Sequence, residues 1–111
     1  LATYAAKLGK EEARLDWTRP AAQLARAVRG YNPVPGAWTL LGGAPLKIWA
    51  ARTTADGGAP GTVLAAETEL LVACGDGALA ITELQPAGGK RMPAAAFLAG
   101  RALPSGTVLG A

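Results

Sequence analysis

The alternation of apolar and polar positions divides the chain into three stretches. Residues 1–17 show no steady period: Leu1–Leu8 is mixed, and Lys10, Glu11, Glu12, Arg14 and Asp16 are solvated charges. This stretch reads as a leader entering a domain, with Tyr4, Leu15 and Trp17 as side chains able to dock it on the body. Residues 18–30 carry a helical period. Ala21, Leu24, Val28 and Tyr31 fall on one side and Arg19, Gln23, Arg26 and Arg29 on the other. Thr18 is the expected N-cap, Pro20 suits the first turn, and Gly30 is the expected C-cap. The arginine side is either a solvated face or part of an anion-binding surface.

Asn32-Pro33-Val34-Pro35-Gly36 ends that helix, and the period then changes to two. Ala37–Leu41 and Leu46–Thr53 flank Gly42-Gly43, a hairpin signal. Gly61–Ala66 and Glu69–Cys74 form a second pair, and Gly75-Asp76-Gly77 turns into Ala78–Gln85. Pro86–Met92 reads as a polar loop, and Pro93 opens a short helix over Ala94–Leu98 that ends at Gly100. In the tail, Gly106-Thr107-Val108-Leu109 repeats Gly61-Thr62-Val63-Leu64, which is too short to argue a duplication and reads as shared turn-then-strand chemistry. Five short strands with one N-terminal and one C-terminal helix predict a mainly β fold, a small OB-like five-stranded barrel.

Composition narrows the chemistry. The 111 residues fit one domain with one modest core. Half are hydrophobic, but only three Trp, two Tyr and one Phe are present, so the core must rest on Leu, Val and Ile. There is no histidine, which removes His-based general acid–base catalysis, Ser/His/Asp triads and histidine metal sites. No paired carboxylates stand out: Asp56 and Asp76 sit in glycine-rich turns. The single cysteine, Cys74, cannot form an intrachain disulfide, lies in the apolar run Leu70–Cys74, and reads as a buried core residue. None of the glycine runs matches a phosphate loop or a dinucleotide fingerprint. No apolar run approaches the ~18 residues needed to span a bilayer. A chain starting at Leu1 is expected to be a fragment or a processed chain.

The net charge of +3 is compatible with a polyanionic partner. The cations group at Lys7, Lys10 and Arg14 on the leader, at Arg19, Arg26 and Arg29 on the first helix, and at Lys90 and Arg91 before the last helix. Lys47 and Arg52 share a strand, where Trp49 beside Lys47 either stacks on a base or packs under a helix.

Several segments in order resemble the C-terminal domain of bacterial methionyl-tRNA formyltransferases. They are Thr3-Tyr4-Ala5-Ala6-Lys7-Leu8, Lys10-Glu11-Glu12-Ala13-Arg14-Leu15-Asp16-Trp17, Thr18-Arg19-Pro20-Ala21 and Asn32-Pro33-Val34-Pro35-Gly36-Ala37. Leu46-Lys47-Ile48-Trp49, Gly75-Asp76-Gly77, Leu84-Gln85-Pro86, Lys90-Arg91-Met92 and Phe97-Leu98-Ala99-Gly100-Arg101 follow. Val34, Gly9 and Pro93 depart from the family's usual aromatic, Ser/Thr and Ser.

The resemblance implies an interdomain linker at 1–17 and an OB-like tRNA-binding domain at 18–111. The N-terminal catalytic formyltransferase domain would lie outside this chain. In that family the catalytic domain moves a formyl group from 10-formyltetrahydrofolate to initiator methionyl-tRNA for translation initiation, and no catalytic residue carries over here. Lys7, Lys10, Arg14, Lys90 and Arg91 match basic positions and would contact tRNA phosphates. The expectation is a cytoplasmic, monomeric chain with no bound cofactor or metal. The alternative is a structural or protein-contact barrel of a related folate- or nucleotide-sugar-dependent enzyme with no RNA role.

Overall fold

The computed structural model describes residues 13–32 and 36–110. Helix α1 (Ala21–Tyr31) precedes strands β1 (Trp38–Leu41), β2 (Ala44–Thr54), β3 (Val63–Ala66), β4 (Leu70–Ala73), β5 (Ala78–Pro86) and β6 (Met92–Pro93), and helix α2 (Ala94–Gly100) follows. The strands pair antiparallel in the order β1-β2-β5-β4-β3, with the two-residue β6 added to β5. This is the mainly β, OB-like half-barrel that the period-two pattern predicts. Register shifts between Ile48 and Ala50 in β2, and between Val63 and Ala65 in β3, mark the bulges where the sheet curls.

The inner face holds Leu46, Ile48, Val63, Leu70, Val72, Leu79, Ile81 and Leu84, all fully buried. Helix α1 lays Leu24, Ala25 and Val28 against it, and α2 adds Phe97 and Leu98. Tyr31 is half-buried at the rim, while Arg19, Gln23, Arg26 and Arg29 face solvent, as the helical period requires.

Both ends of α1 differ from the sequence expectation. The helix starts at Ala21, not at Thr18, because Pro20 holds an extended backbone (φ −62°, ψ 146°) and the residue before a proline is pushed out of the helical region. The Thr18 hydroxyl donates instead to Asp16 Oδ1 at 2.6 Å. The Ala21 amide, the first orphan donor of the helix, is taken by the Asp76 carbonyl at 2.8 Å. At the other end the helix runs through Gly30 to Tyr31, and Asn32 is the cap. Its Nδ2 donates to Val28 O at 2.6 Å and to Ile48 O at 2.9 Å, tying α1 to β2. The stretch 86–92 is not wholly loop either, since Met92 and Pro93 bridge to Leu84 and Glu83. A proline is tolerated there because β6 is an edge.

The turn at Gly75 is a close approach: a Cβ there would collide with the Thr18 carbonyl. The Gly75 amide donates to Arg19 O at 2.9 Å, which fixes the segment leading into α1 against the β4–β5 turn.

The free edges of the curled sheet are covered by the two ends of the described chain. Residues 13–15 pair with β1: Leu15 N donates to Trp38 O at 2.8 Å, and Trp38 N donates to Ala13 O at 3.1 Å. The tail pairs with the start of β3 through Val63 N to Thr107 O (2.7 Å), Gly106 N to Val63 O (2.9 Å) and Leu109 N to Gly61 O (2.8 Å). The two Gly-Thr-Val-Leu tetrads are therefore partners of each other, bridged at Thr62 and Val108. Gly110 N then donates to Leu40 O at 2.8 Å, so the tail reaches from β3 across to β1 on the open side of the half-barrel.

Leu15 and Trp17 dock as the sequence suggests, and both are buried; Tyr4 lies outside the described residues. Trp17 Nε1 donates to the hydroxyl of Thr39, a fully buried polar side chain, at 2.9 Å. Truncating Trp17 to Ala should cost about 3–5 kcal/mol, a large share of the ~5–15 kcal/mol typical of a domain. Urea unfolding followed by circular dichroism measures this; a destabilisation under about 1 kcal/mol would contradict the packing described.

Candidate nucleic-acid interface

Strand alternation sets the outer face. Trp38 on β1 is the cross-strand partner of Lys47 on β2, and Lys47 is the partner of Gln85 on β5, so the three side chains project to one side. Two residues along β2, Trp49 shares that side with Lys47, and two residues back along β5 so does Glu83. The Lys47 ammonium stands 4.0 Å from the Trp49 ring centroid, and the Arg91 guanidinium stands 4.5 Å from it. Trp49 Nε1 donates to Gln85 Oε1 at 2.9 Å, and Gln85 Nε2 donates to Gly89 O at 3.1 Å. Arg91 also makes a two-pronged ion pair with Glu83, Nε to Oε2 and Nη2 to Oε1, each at 3.1 Å. At the β1 end, the Arg14 guanidinium lies 5.5 Å from the Trp38 centroid and donates to Gly110 O at 3.1 Å.

The sequence-predicted site residues thus fall out unevenly. Arg14, Lys90 and Arg91 are all exposed, and the structure ties Arg14 and Arg91 to neighbouring indoles. Lys90 makes no ion pair among the described residues. Lys7 and Lys10 lie outside the described residues. Lys47 sits between the two groups and is legible in sequence only as a strand lysine. Glu83, which offsets the charge of Arg91, has no signal in sequence. Arg52 points elsewhere, to Glu69. Trp49 is half-buried under two cations, so neither a bare stacking platform nor a ring packed under a helix describes it.

A second basic feature borders α1. Arg14, Arg19 and Arg26 line a groove of about 540 Å³ with Asp16 and Gln23. Arg19 is 3.6 Å from Asp16. Hydrogen bonds from the Thr18 hydroxyl and amide, helped by the Arg19 charge, hold the Asp16 carboxyl below its ordinary range, so this acid stays ionised.

Among the described residues no cluster of His, Cys, Asp or Glu could hold a metal ion, and no helix is long and apolar enough to cross a membrane. Cys74 is buried with its thiol toward Val72 O at 3.6 Å. Burial pushes that thiol up to about 11 from 9.0, against a smaller opposite pull from the Leu79 amide.

The chain belongs to the formyl transferase C-terminal domain family, whose model matches residues 7–102. Its curated relatives include a methionyl-tRNA formyltransferase of Thiobacillus denitrificans, 66% identical over 99% of this chain. Another methionyl-tRNA formyltransferase, from Neisseria meningitidis serogroup C, is 56% identical over 96% of the chain. The chain spans only 37% and 35% of those relatives' lengths. Among solved structures, HypX from Aquifex aeolicus in complex with tetrahydrofolic acid superposes with a TM-score of 0.68 at 26% identity, over 80% of this chain and 17% of that one.

The state of Cys74 predicts its reactivity. A thiol-specific reagent at pH 8 should label the chain slowly when folded and rapidly in denaturant. In the unfolded chain the thiol ionises near 9.0, in the folded chain near 11. The stabilisation from keeping it neutral is therefore whole below pH 9 and lost as pH rises toward 11. Thermal melts should fall across that window in the native chain, and less so in Cys74→Ala measured against its own pH 8 value.

Proposed function

We propose that this chain is the tRNA-docking part of a methionyl-tRNA formyltransferase. Formyl transfer from 10-formyltetrahydrofolate to initiator methionyl-tRNA takes place on an N-terminal catalytic domain outside the chain. The leader 1–17 links that domain to the docking barrel of 18–111, with its last residues, Ala13–Trp17, packed into the barrel wall. Lys7, Lys10, Arg14, Lys90 and Arg91 meet backbone phosphates and hold the tRNA so that its aminoacyl end reaches the distant active site. Such contacts fix register and orientation without reading sequence, so choice of the initiator falls to the catalytic domain.

The observation that carries this reading is the high identity to proteins named methionyl-tRNA formyltransferase over nearly the whole chain. The exposed placement of Arg14, Lys90 and Arg91 supports the phosphate role. In this reading the folate donor belongs with the catalytic domain, outside the chain.

The second reading, a structural barrel without RNA, has one observation in its favour. HypX, crystallised with tetrahydrofolic acid, shares this barrel at modest identity, so the fold alone does not select for RNA.

Binding of labelled initiator tRNA to the full 111-residue chain across a salt series separates the two. With Lys7, Lys10, Lys90 and Arg91 changed to Ala, the log–log slope should become shallower by roughly 3 to 4, about 0.9 for each phosphate that no longer meets a cation. Equal slopes for native and variant chains would make the basic groups a solvated surface and the barrel a support.

A further inference from the structure

The two cation groups assigned to RNA, Arg14 at one end and Lys90-Arg91 at the other, are far apart in sequence, but the outer face of the sheet joins them. From Arg14 the row passes over the Trp38 ring (5.5 Å), crosses to Lys47 as the direct partner of Trp38, passes the Trp49 ring (4.0 Å) and reaches Arg91 over the same ring (4.5 Å). We propose that Arg14, Lys47 and Arg91 form one continuous track for a single RNA backbone, with Lys47 as its central phosphate contact and Trp38 and Trp49 as positioning residues. This rests on the tRNA-docking reading and extends it to a residue and a path.

Three observations favour a built track over scattered charge. First, the indoles hold the cations. A lysine or arginine head on a ring face gains roughly 0.5–1 kcal/mol at an exposed site, and a side chain already held loses less rotamer freedom on binding. Second, the chain makes room for Lys47. Gly36 has a left-handed backbone (φ +93°) that favours glycine, and the end of the Lys47 side chain lies over it in the space a Cβ would occupy. Third, the row borders a hollow. Trp38, Lys47, Pro45, Gln85, Pro86 and Gly88 line a concavity of about 290 Å³ between the two ends. Cross-strand partners on β1, β2 and β5 span about 10 Å, two strand spacings, which suits a run of backbone.

The chemistry selects the occupant. With two cations held against the Trp49 ring, the track presents charge where a base would otherwise stack, so it takes charge and not sequence. Glu83 opposes it: its carboxylate neutralises Arg91 and must yield part of that ion pair to a phosphate.

The test is labelled initiator tRNA binding to the full chain over a salt series, with Lys47→Gln, Glu83→Gln and Lys90→Ala measured in parallel and each variant's melting temperature recorded. Lys47→Gln keeps the Cβ–Cγ part of the stem on the strand face and removes the charge. It should weaken binding and make the salt slope shallower by about one. Glu83→Gln should tighten binding by freeing Arg91. If Lys90→Ala weakens binding while Lys47→Gln folds and binds as the native chain does, the track is wrong and the docking reading stands. If none of the three changes binding, the track is wrong and Lys90 leaves the set of phosphate contacts with it. Should Lys47→Gln fail to fold, the Glu83 variant decides: tighter binding supports the track, and unchanged binding overturns it.

Discussion

The indole of Trp17 stands where separate stretches of the chain must meet, and the packing of the curled sheet depends on it. Its Nε1 satisfies the buried hydroxyl of Thr39 on β1. Its ring lies against Gly110 of the tail, where a Cβ would press on it at 3.1 Å, and beside Gly61 just ahead of β3. A five-stranded sheet with this order leaves β1 and β3 as edges, and unpaired edges are where sheets aggregate. The entering segment and the tail cover those edges with backbone hydrogen bonds, and Trp17 is the apolar anchor they share. An aromatic-poor core makes this concentration understandable. With six aromatic rings in 111 residues, most layers are Leu, Val and Ile, and one large buried ring joins parts that strand pairing alone leaves loosely coupled.

Closure of the barrel also decides where the cations go. Once Ile48 and Leu84 turn inward, Lys47, Trp49, Glu83 and Gln85 must turn outward, because strand side chains alternate. The bulge in β2 between Ile48 and Ala50 adds curl at the position of Trp49. The hydrogen bond from Trp49 to Gln85 then fixes the ring across two strands, and the ring fixes Lys47 and Arg91. Packing inside the barrel is thereby transmitted to charge placement outside it. The same logic separates this face from Arg52, which lies further along β2 and is committed to Glu69.

Much of this is legible in the sequence. The five strands lie within a residue or two of their period-two runs, because alternation is imposed by burial of one face and glycine turns punctuate it. The short C-terminal helix begins at Ala94 after Pro93, as written in the chain. The start of α1 is harder to place, because Thr18 is a favourable cap residue while Pro20 restricts the backbone of Arg19, and the restriction wins. Its end is harder because Gly30 reads as a stop, whereas Asn32 has a side chain able to reach both Val28 and Ile48. The pairing of the two Gly-Thr-Val-Leu tetrads joins residues more than forty positions apart, and no local signal carries such a pairing. At the site, the exposed cations are legible but their neighbours are not. The Glu83–Arg91 pair and the Lys47–Trp49–Arg91 stack are products of strand register, which one sequence does not specify.

Register also changes what the basic excess means. A net charge of +3 is small, and an even spread of it would attract RNA weakly. Arg52, Arg19 and Arg91 each have an acidic partner, which removes much of their field, and pairs this exposed contribute little stability in return. What distinguishes Arg91 from the other two is the ring beneath it: Glu83 holds it from one side and Trp49 from another, so its direction is set even where its charge is offset. Under the proposed docking, a phosphate would meet a guanidinium already aimed and compete with a surface carboxylate. Arg14 has the complementary arrangement, bonded to a backbone carbonyl of the tail and facing an indole, with no acid in its pairings among the described residues. Because Arg14 belongs to the segment that enters the barrel, a charge bound at the β1 end bears directly on the hydrogen bonds that close the sheet. If the proposed docking holds, docking at this face and the pairing of the sheet's edges are one structural feature.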